Sequence, residues 1–214
     1  MNPVVHLSDV VAVLGRFPVL AGASLDVDRG EIVLLQGPNG AGKTSLLRLC
    51  AGLLPVARGE GTVLGCDLRT NRDALRKRVG LLGHANGLYG DLTVRENVRF
   101  WGSTIGATAP EVRAAIDRMG LSERLGDVQV NKLSAGQKRR TALACLVARR
   151  AELWLLDEPH AGLDAVARDD LDTTLRDAAA AGATIIVASH ELERAGALST
   201  RTVAVVGGQV RETV

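Results

Sequence analysis

Apolar positions follow two registers along the chain. "VVHLSDVVAVL" and "ASLDVD" open it as short β-rich runs, and "EIVLLQG", "VGLL", "LWLLD" and "ATIIVAS" are near-continuous apolar runs of strand length. Between them lie helical patterns. "KTSLLRLCAGLL" follows a glycine-rich turn, a polar helix is expected near Arg72–Arg78, and from Asp91 to about Arg150 the whole pattern turns helical. Within that stretch Thr93 and Glu96 form a T-x-x-E capping box for a helix running to about Trp101, and "PEVRAAIDRMG" carries Pro and Gly at its ends. "AGQKRRTALACLVARR" reads as an amphipathic helix, "AVARDDLDTTLRDAAAAG" as another, and "TVAVVGGQV" as a closing hairpin. The sum is an alternating β/α core interrupted by roughly 50–60 helical residues, which predicts an α/β fold with a mostly parallel sheet and helices on its faces. No internal repeat or low-complexity linker breaks the pattern.

Composition narrows the class. A chain of 214 residues, 46% apolar, suffices for one α/β domain with an inserted subdomain and excludes a disordered chain. The net charge is only +2, with both signs interspersed, so no face is set aside for nucleic acid or anionic lipid. Cys50, Cys66 and Cys145 are isolated and read as core filler in a reducing compartment. No stretch approaches the roughly 18 apolar residues of a membrane span, and "MNPVVHLSD" lacks the features of a signal peptide. A chain that is soluble and cytoplasmic by itself is expected.

The candidate chemistry is phosphoryl transfer. "GPNGAGKT" (Gly37, Pro38, Asn39, Gly40, Ala41, Gly42, Lys43 and Thr44) fits G-x-x-x-x-G-K-[ST] between a buried strand and a helix start. Its backbone N–H groups would turn around phosphates, Lys43 would reach the β- and γ-phosphates, and Thr44 would place its hydroxyl on Mg²⁺; Ser45 is a neighbouring hydroxyl. At the end of "LWLLDE", Asp157 would hold the Mg²⁺ shell and Glu158 would polarise the attacking water. Adjacent strand residues point to opposite faces, so both can serve only if the chain turns there, next to Pro159. In "NKLSAGQKRR", Ser134 and Gly136 open a helix at its positive end, a second place for phosphate, with Gln137 following. An ordinary serine N-cap is the alternative.

With this last motif the chain resembles the ATP-binding-cassette ATPases, over essentially its whole length. The resemblance implies a P-loop cassette with an N-terminal antiparallel β region, a nucleotide-binding core at 1–84 and 151–214, and a helical subdomain at 85–150 that carries the signature. It makes "AGLD" (Ala161 to Asp164) the D-loop and "VASHE" the switch region, whose His190 reaches the γ-phosphate. It implies ATP and Mg²⁺ as cofactors, and a homodimer or a close paralogue as partner, because each nucleotide lies between the phosphate loop of one subunit and Ser134, Gly136 and Gln137 of the other. His84 stands where most of the family carries a glutamine that contacts Mg²⁺ and the attacking water, and a neutral imidazole can also hold water.

The adenine is usually stacked on an aromatic residue; here Leu14 lies near that place and Phe17 is the nearest aromatic. "LLGHANGLYGDLTVRENVRFW", "LSAGQKRR" and "ELWLLDEP" look most like the ATP-binding subunit of the haem exporter of bacterial cytochrome c maturation. That resemblance implies separate transmembrane permease subunits, a place on the cytoplasmic face of the membrane, and a docking groove around His84–Asp91 to which Leu88 and Tyr89 contribute, unless they are core. "HAGLD" departs from the subfamily's usual Phe-Thr-Ala-Leu-Asp, and His160 is expected as a solvated loop residue. An ATPase serving another small molecule, a soluble non-transport member and a non-catalytic binding module are the competing readings.

Overall fold

In chain order the elements are β1 (Val5–Leu14), β2 (Phe17–Val27), β3 (Ile32–Gln36), α1 (Lys43–Cys50), β4 (Arg58–Val63), β5 (Cys66–Asp67) and β6 (Val79–Leu82). Helices α2 (Val94–Ser103), α3 (Ala109–Arg118), α4 (Glu123–Gly126) and α5 (Ala135–Ala148) follow, then β7 (Leu153–Asp157), α6 (Ala165–Ala180), β8 (Thr184–Ala188), α7 (Leu192–Leu198), β9 (Arg201–Val206) and β10 (Gln209–Glu212). This computed structural model describes residues 3–121 and 123–212; Met1, Asn2, Ser122, Thr213 and Val214, which fall within the domain bounds read above, lie outside it.

Two sheets organise the chain. The first is antiparallel, in the order β2-β1-β4-β5, and the second runs β10-β9-β3-β8-β7-β6 with all neighbours parallel except the closing hairpin. Every residue of β7 and β8 is buried, which explains their unbroken apolar runs: each strand is covered on both faces. Alternation along the strands divides the core. Val33, Leu35, Leu153, Leu155, Ile186 and Ala188 pack with α1 and the antiparallel sheet, whereas Ile32, Trp154, Leu156, Ile185 and Val187 pack with the helices that follow β6 and β7. By the same alternation Asp157, two residues beyond Leu155, emerges on the α1 side.

The structure alters two readings of local elements. Arg72–Lys77 is a six-residue 3-10 turn in which only Leu75 is buried; one apolar residue provides no stripe to hold a full helix against the core. Helix α5 is not amphipathic. It packs against α2, α3 and β6, and from Arg139 to Ala148 nearly every residue is buried, Arg139 and Thr141 included. The capping box of Thr93 and Glu96 forms as read: Glu96 N donates to Thr93 Oγ1 at 3.2 Å and Thr93 N donates to Glu96 Oε2 at 2.8 Å.

Candidate active site

The phosphate loop joins the end of β3 to α1, and its glycines are required by what surrounds them. Gly42 has φ 111°, and a Cβ there would lie 2.9 Å from the Val19 carbonyl oxygen; a Cβ on Gly37 would lie 2.1 Å from the Val205 carbonyl oxygen. The loop is therefore wedged between β2 and β9. Lys43, 8% exposed, folds back so that Nζ donates to the carbonyls of Gly37 (2.6 Å) and Pro38 (3.1 Å). That leaves an ammonium held by two loop carbonyls at a helix N-terminus, a setting that favours an anion.

Thr44 and Asp157 meet across the core, the hydroxyl donating to Asp157 Oδ2 at 2.7 Å. Two hard oxygens side by side suit Mg²⁺, whose other positions are commonly taken by phosphate and water. Glu158 is turned out of the strand by its own left-handed backbone, φ 49°, which resolves how adjacent carboxylates can face one cleft. Such a conformation costs on the order of 1–3 kcal/mol in a non-glycine residue. It is held by Glu158 N donating to the Ala188 carbonyl at 2.8 Å. The Glu158 carboxylate accepts weakly from the His190 backbone N–H (3.3 Å) and the Ser189 hydroxyl (3.4 Å), and His190 Nε2 stands 3.7 Å from Glu158 Oε1.

These groups line one open cleft of about 1470 Å³, together with Asn39, Gly40, Ala41, Ser45 and His84. His84, two residues beyond the end of β6, is exposed on its wall. Leu14 and Leu53 also line the cleft, whereas Phe17, 77% exposed at the hairpin tip, does not; the aliphatic side chains, not the nearest aromatic, stand on its apolar wall.

Ser134, Gly136 and Gln137 are not on this cleft. Ser134 is an N-cap: its Oγ accepts from Gln137 N at 3.2 Å while Gln137 Oε1 accepts from Ser134 N at 2.9 Å. The serine is exposed, and its own O–H remains available to donate. Gly136 has a packing reason as well, since a Cβ there would lie 2.7 Å from the Gly162 carbonyl oxygen.

Sequence reasoning missed Arg139. It is 4% exposed and its guanidinium donates to the carbonyls of Asp157 (2.6 Å), Glu158 (2.6 Å) and Gly83 (2.8 Å) and to Asn86 Oδ1 (3.0 Å). One side chain from α5 thus ties the end of β7 to the loop that carries His84. Burial pulls its pKa below the ordinary arginine value, against the opposing pull of the Asp157 and Glu158 carboxylates, and an arginine stays charged through such a shift. In the sequence it is one of three consecutive basic residues, with nothing to mark it. Asn97 was equally silent: fully buried, it donates to the carbonyls of Tyr89 and Thr93 and accepts from Tyr89 N, fixing the far end of the same loop. Of the two groove candidates, Leu88 packs on the core, whereas Tyr89 is 48% exposed and meets Phe100 edge to face at 5.0 Å.

His160 corrects the sequence reading. It is 1% exposed, with Nε2 2.8 Å from Asp172 Oδ1, because α6 folds back over the segment after Pro159 and encloses the ring.

A family model described as "ABC transporter" matches residues 20–161. The chain belongs to that family. It is 38% identical over 198 residues to the cytochrome c biogenesis ATP-binding export protein CcmA of Cupriavidus pinatubonensis, covering 90% of this chain and 85% of the relative. To the protein of the same name from Paramagnetospirillum magneticum it is 40% identical over 186 residues, 85% of each. Among solved structures, the dimeric post-hydrolysis state of the ATP-binding cassette MJ0796 bound to ADP and Pi superposes with a TM-score of 0.86 at 25% identity, covering 98% of this chain and 97% of that one. An ATP-bound bacterial Atm1-family ABC exporter superposes at 0.88 with 26% identity, covering 99% of this chain and 38% of that one. The cassette is thus an ABC ATPase. Among the described residues no helix is long and apolar enough to cross a membrane.

Proposed function

We propose that this cassette is the ATP-hydrolysing subunit of a membrane exporter that serves haem delivery in cytochrome c biogenesis. The observation that carries the reading is the near full-length likeness, at 38–40% identity, to proteins named for cytochrome c biogenesis export. The cleft supports the hydrolytic part.

Backbone N–H groups of Gly40, Ala41 and Gly42 and the Lys43 ammonium hold the phosphates, with Ser45 beside them; Thr44 and Asp157 hold Mg²⁺, which neutralises phosphate charge when bound. Glu158 accepts the proton of the attacking water, and His190, beside it, reaches the terminal phosphate. His84, on the same cleft, orders water. Ser134, Gly136 and Gln137 lie off the cleft, and they complete the site of a second copy, whose Ser134 O–H and helix N-terminus close on the nucleotide. The stretch 85–150 is the subdomain that presents them. Tyr89 and Phe100, 48% and 45% exposed and packed edge to face at the end of the His84 loop, form the apolar part of the surface on which a separate transmembrane subunit docks and brings the cassette to the cytoplasmic face.

The test is a haem-stained gel of c-type cytochromes from source cells whose only copy carries Lys43→Ala. Loss of covalent haem staining with other haem proteins intact is expected. Normal staining, with ATPase activity confirmed lost, would discard the haem assignment in favour of another transported molecule.

A further inference from the structure

His160 is separated from Glu158 by one proline, yet its ring faces away from the cleft into the protein. Its Nε2 meets Asp172 Oδ1 of α6 at 2.8 Å, and the other carboxylate oxygen receives Arg194 Nη1 of α7 at 2.5 Å. Helix α7 begins two residues after His190. The polar chain therefore starts beside Glu158, passes through α6 and reaches α7, the helix that directly follows the His190 segment; the His190 backbone N–H and imidazole face the Glu158 carboxylate. A second bridge runs parallel to it: Arg168 binds the Leu163 carbonyl at 3.0 Å and Glu191 Oε2 at 3.1 Å.

The chemistry of this chain sets the state of the ring. A carboxylate paired with Arg194 only accepts, so Nε2 is the donor to Asp172. Nδ1 is buried with no hydrogen-bond partner among the described residues. An unsatisfied buried acceptor costs about 1–3 kcal/mol, so stability alone is a poor reason to place a histidine there. An apolar ring of similar volume would fill the same space without that penalty.

We propose that His160 is a positioning residue for hydrolysis: through Asp172 and Arg194 it fixes the His190 segment against the Glu158 carboxylate while touching neither nucleotide nor water. This rests on the roles given above to Glu158 and His190. Losing the tie leaves the phosphate loop intact, so nucleotide binding survives and the chemical step slows.

The experiment measures kcat and KM for ATP, with thermal melting, on the full chain purified with its accompanying subunits, for His160→Phe, His160→Gln, Arg194→Gln and Glu158→Gln. His160→Phe is expected to lower kcat about tenfold with KM for ATP within about twofold. His160→Gln, whose amide N–H can reach Asp172 as Nε2 does, is expected to recover most of that loss. Arg194→Gln acts at the other end of the tie and should give the same kcat loss, not additive with His160→Phe. It also decides the matter if His160→Phe does not fold. An unchanged kcat in His160→Phe or Arg194→Gln, a Gln variant as impaired as the Phe variant, or a kcat loss that merely follows the folded fraction would overturn the proposal. If Glu158→Gln is inactive while His160→Phe turns over normally, only the positioning role fails; if Glu158→Gln itself turns over normally, the reading of the site fails with it.

Discussion

At the level of single side chains, Arg139 carries more of the site's geometry than any group that touches the cleft. Its fork reaches two carbonyls at the end of β7 and one at the end of β6, which a lysine's single ammonium cannot do together. Arg139→Lys is expected to lower the unfolding free energy by about 2–3 kcal/mol, since charged hydrogen bonds to buried carbonyls are lost. Urea denaturation measures it, and a change under about 0.5 kcal/mol, the range of ordinary surface substitutions, would show that the carbonyls find other partners. Gly37→Ala tests a different constraint. Its Cβ would meet the Val205 carbonyl oxygen at 2.1 Å, so β9 or the phosphate loop must shift; a loss of about 1–3 kcal/mol is expected from overpacking, together with weaker binding of a fluorescent ATP analogue. Glu158 shows how residue conformation serves chemistry, because its positive φ brings two neighbouring carboxylates into one cleft.

Between elements, the clearest clasp joins the start of β6 to the start of β7. Arg78 donates to both oxygens of Glu152, at 2.6 and 3.0 Å, and this arginine holds the Glu152 carboxyl below the usual glutamate range. A carboxyl whose folded pKa is depressed contributes stability that is present above its unfolded pKa, about 4.3, and is lost as pH falls through the folded value. Both side chains are more than a third exposed, which limits the contribution at pH 7 to less than about 1 kcal/mol. Melting curves of wild type and Glu152→Gln should therefore differ near pH 7 and converge in acid; a constant gap down to pH 3 would assign the effect to packing. At the start of α2, Thr93→Ala removes an N-cap and one half of a reciprocal box, with an expected cost of about 1 kcal/mol by the same measurement. That helix start also holds Asn97 beneath Tyr89, so the loss should loosen the exposed aromatic pair.

For the whole molecule, the decisive feature is that its two candidate phosphate-binding helix ends do not share a cleft. The N-terminus of α1 lines the cavity and that of α5 lies off it, so the shared site proposed above needs a second chain. Glu158→Gln should cut hydrolysis at least about 100-fold, the usual worth of a general base. It should also leave the ATP-bound dimer intact, so that light scattering after gel filtration in ATP reports twice the monomer mass. The same variant with Lys43→Ala should elute as a monomer. A monomer for Glu158→Gln in saturating ATP would contradict the shared site.

Much of this arrangement is legible in the chain because it is local. A buried strand, a glycine-rich turn and a lysine at a helix start are contiguous, and their joint geometry needs no distant contact; the Thr93–Glu96 box and the alternating β/α pattern are local in the same sense. What depended on tertiary structure was which face of each element is covered. Lys138, Arg139 and Arg140 are equivalent as text, and only the packing of α5 against β6 and the end of β7 buries the middle one. His160 reads as a loop residue until α6 and α7 close over it and supply a carboxylate and a guanidinium from residues 172 and 194. Leu14 and Phe17 are three residues apart, yet the β1–β2 hairpin leaves Leu14 on the cleft and turns Phe17 out to solvent. Local backbone preference and periodicity determine elements and loop chemistry from the sequence alone, whereas burial and long-range pairing are properties of the packed assembly, set by contacts that no window of the sequence contains.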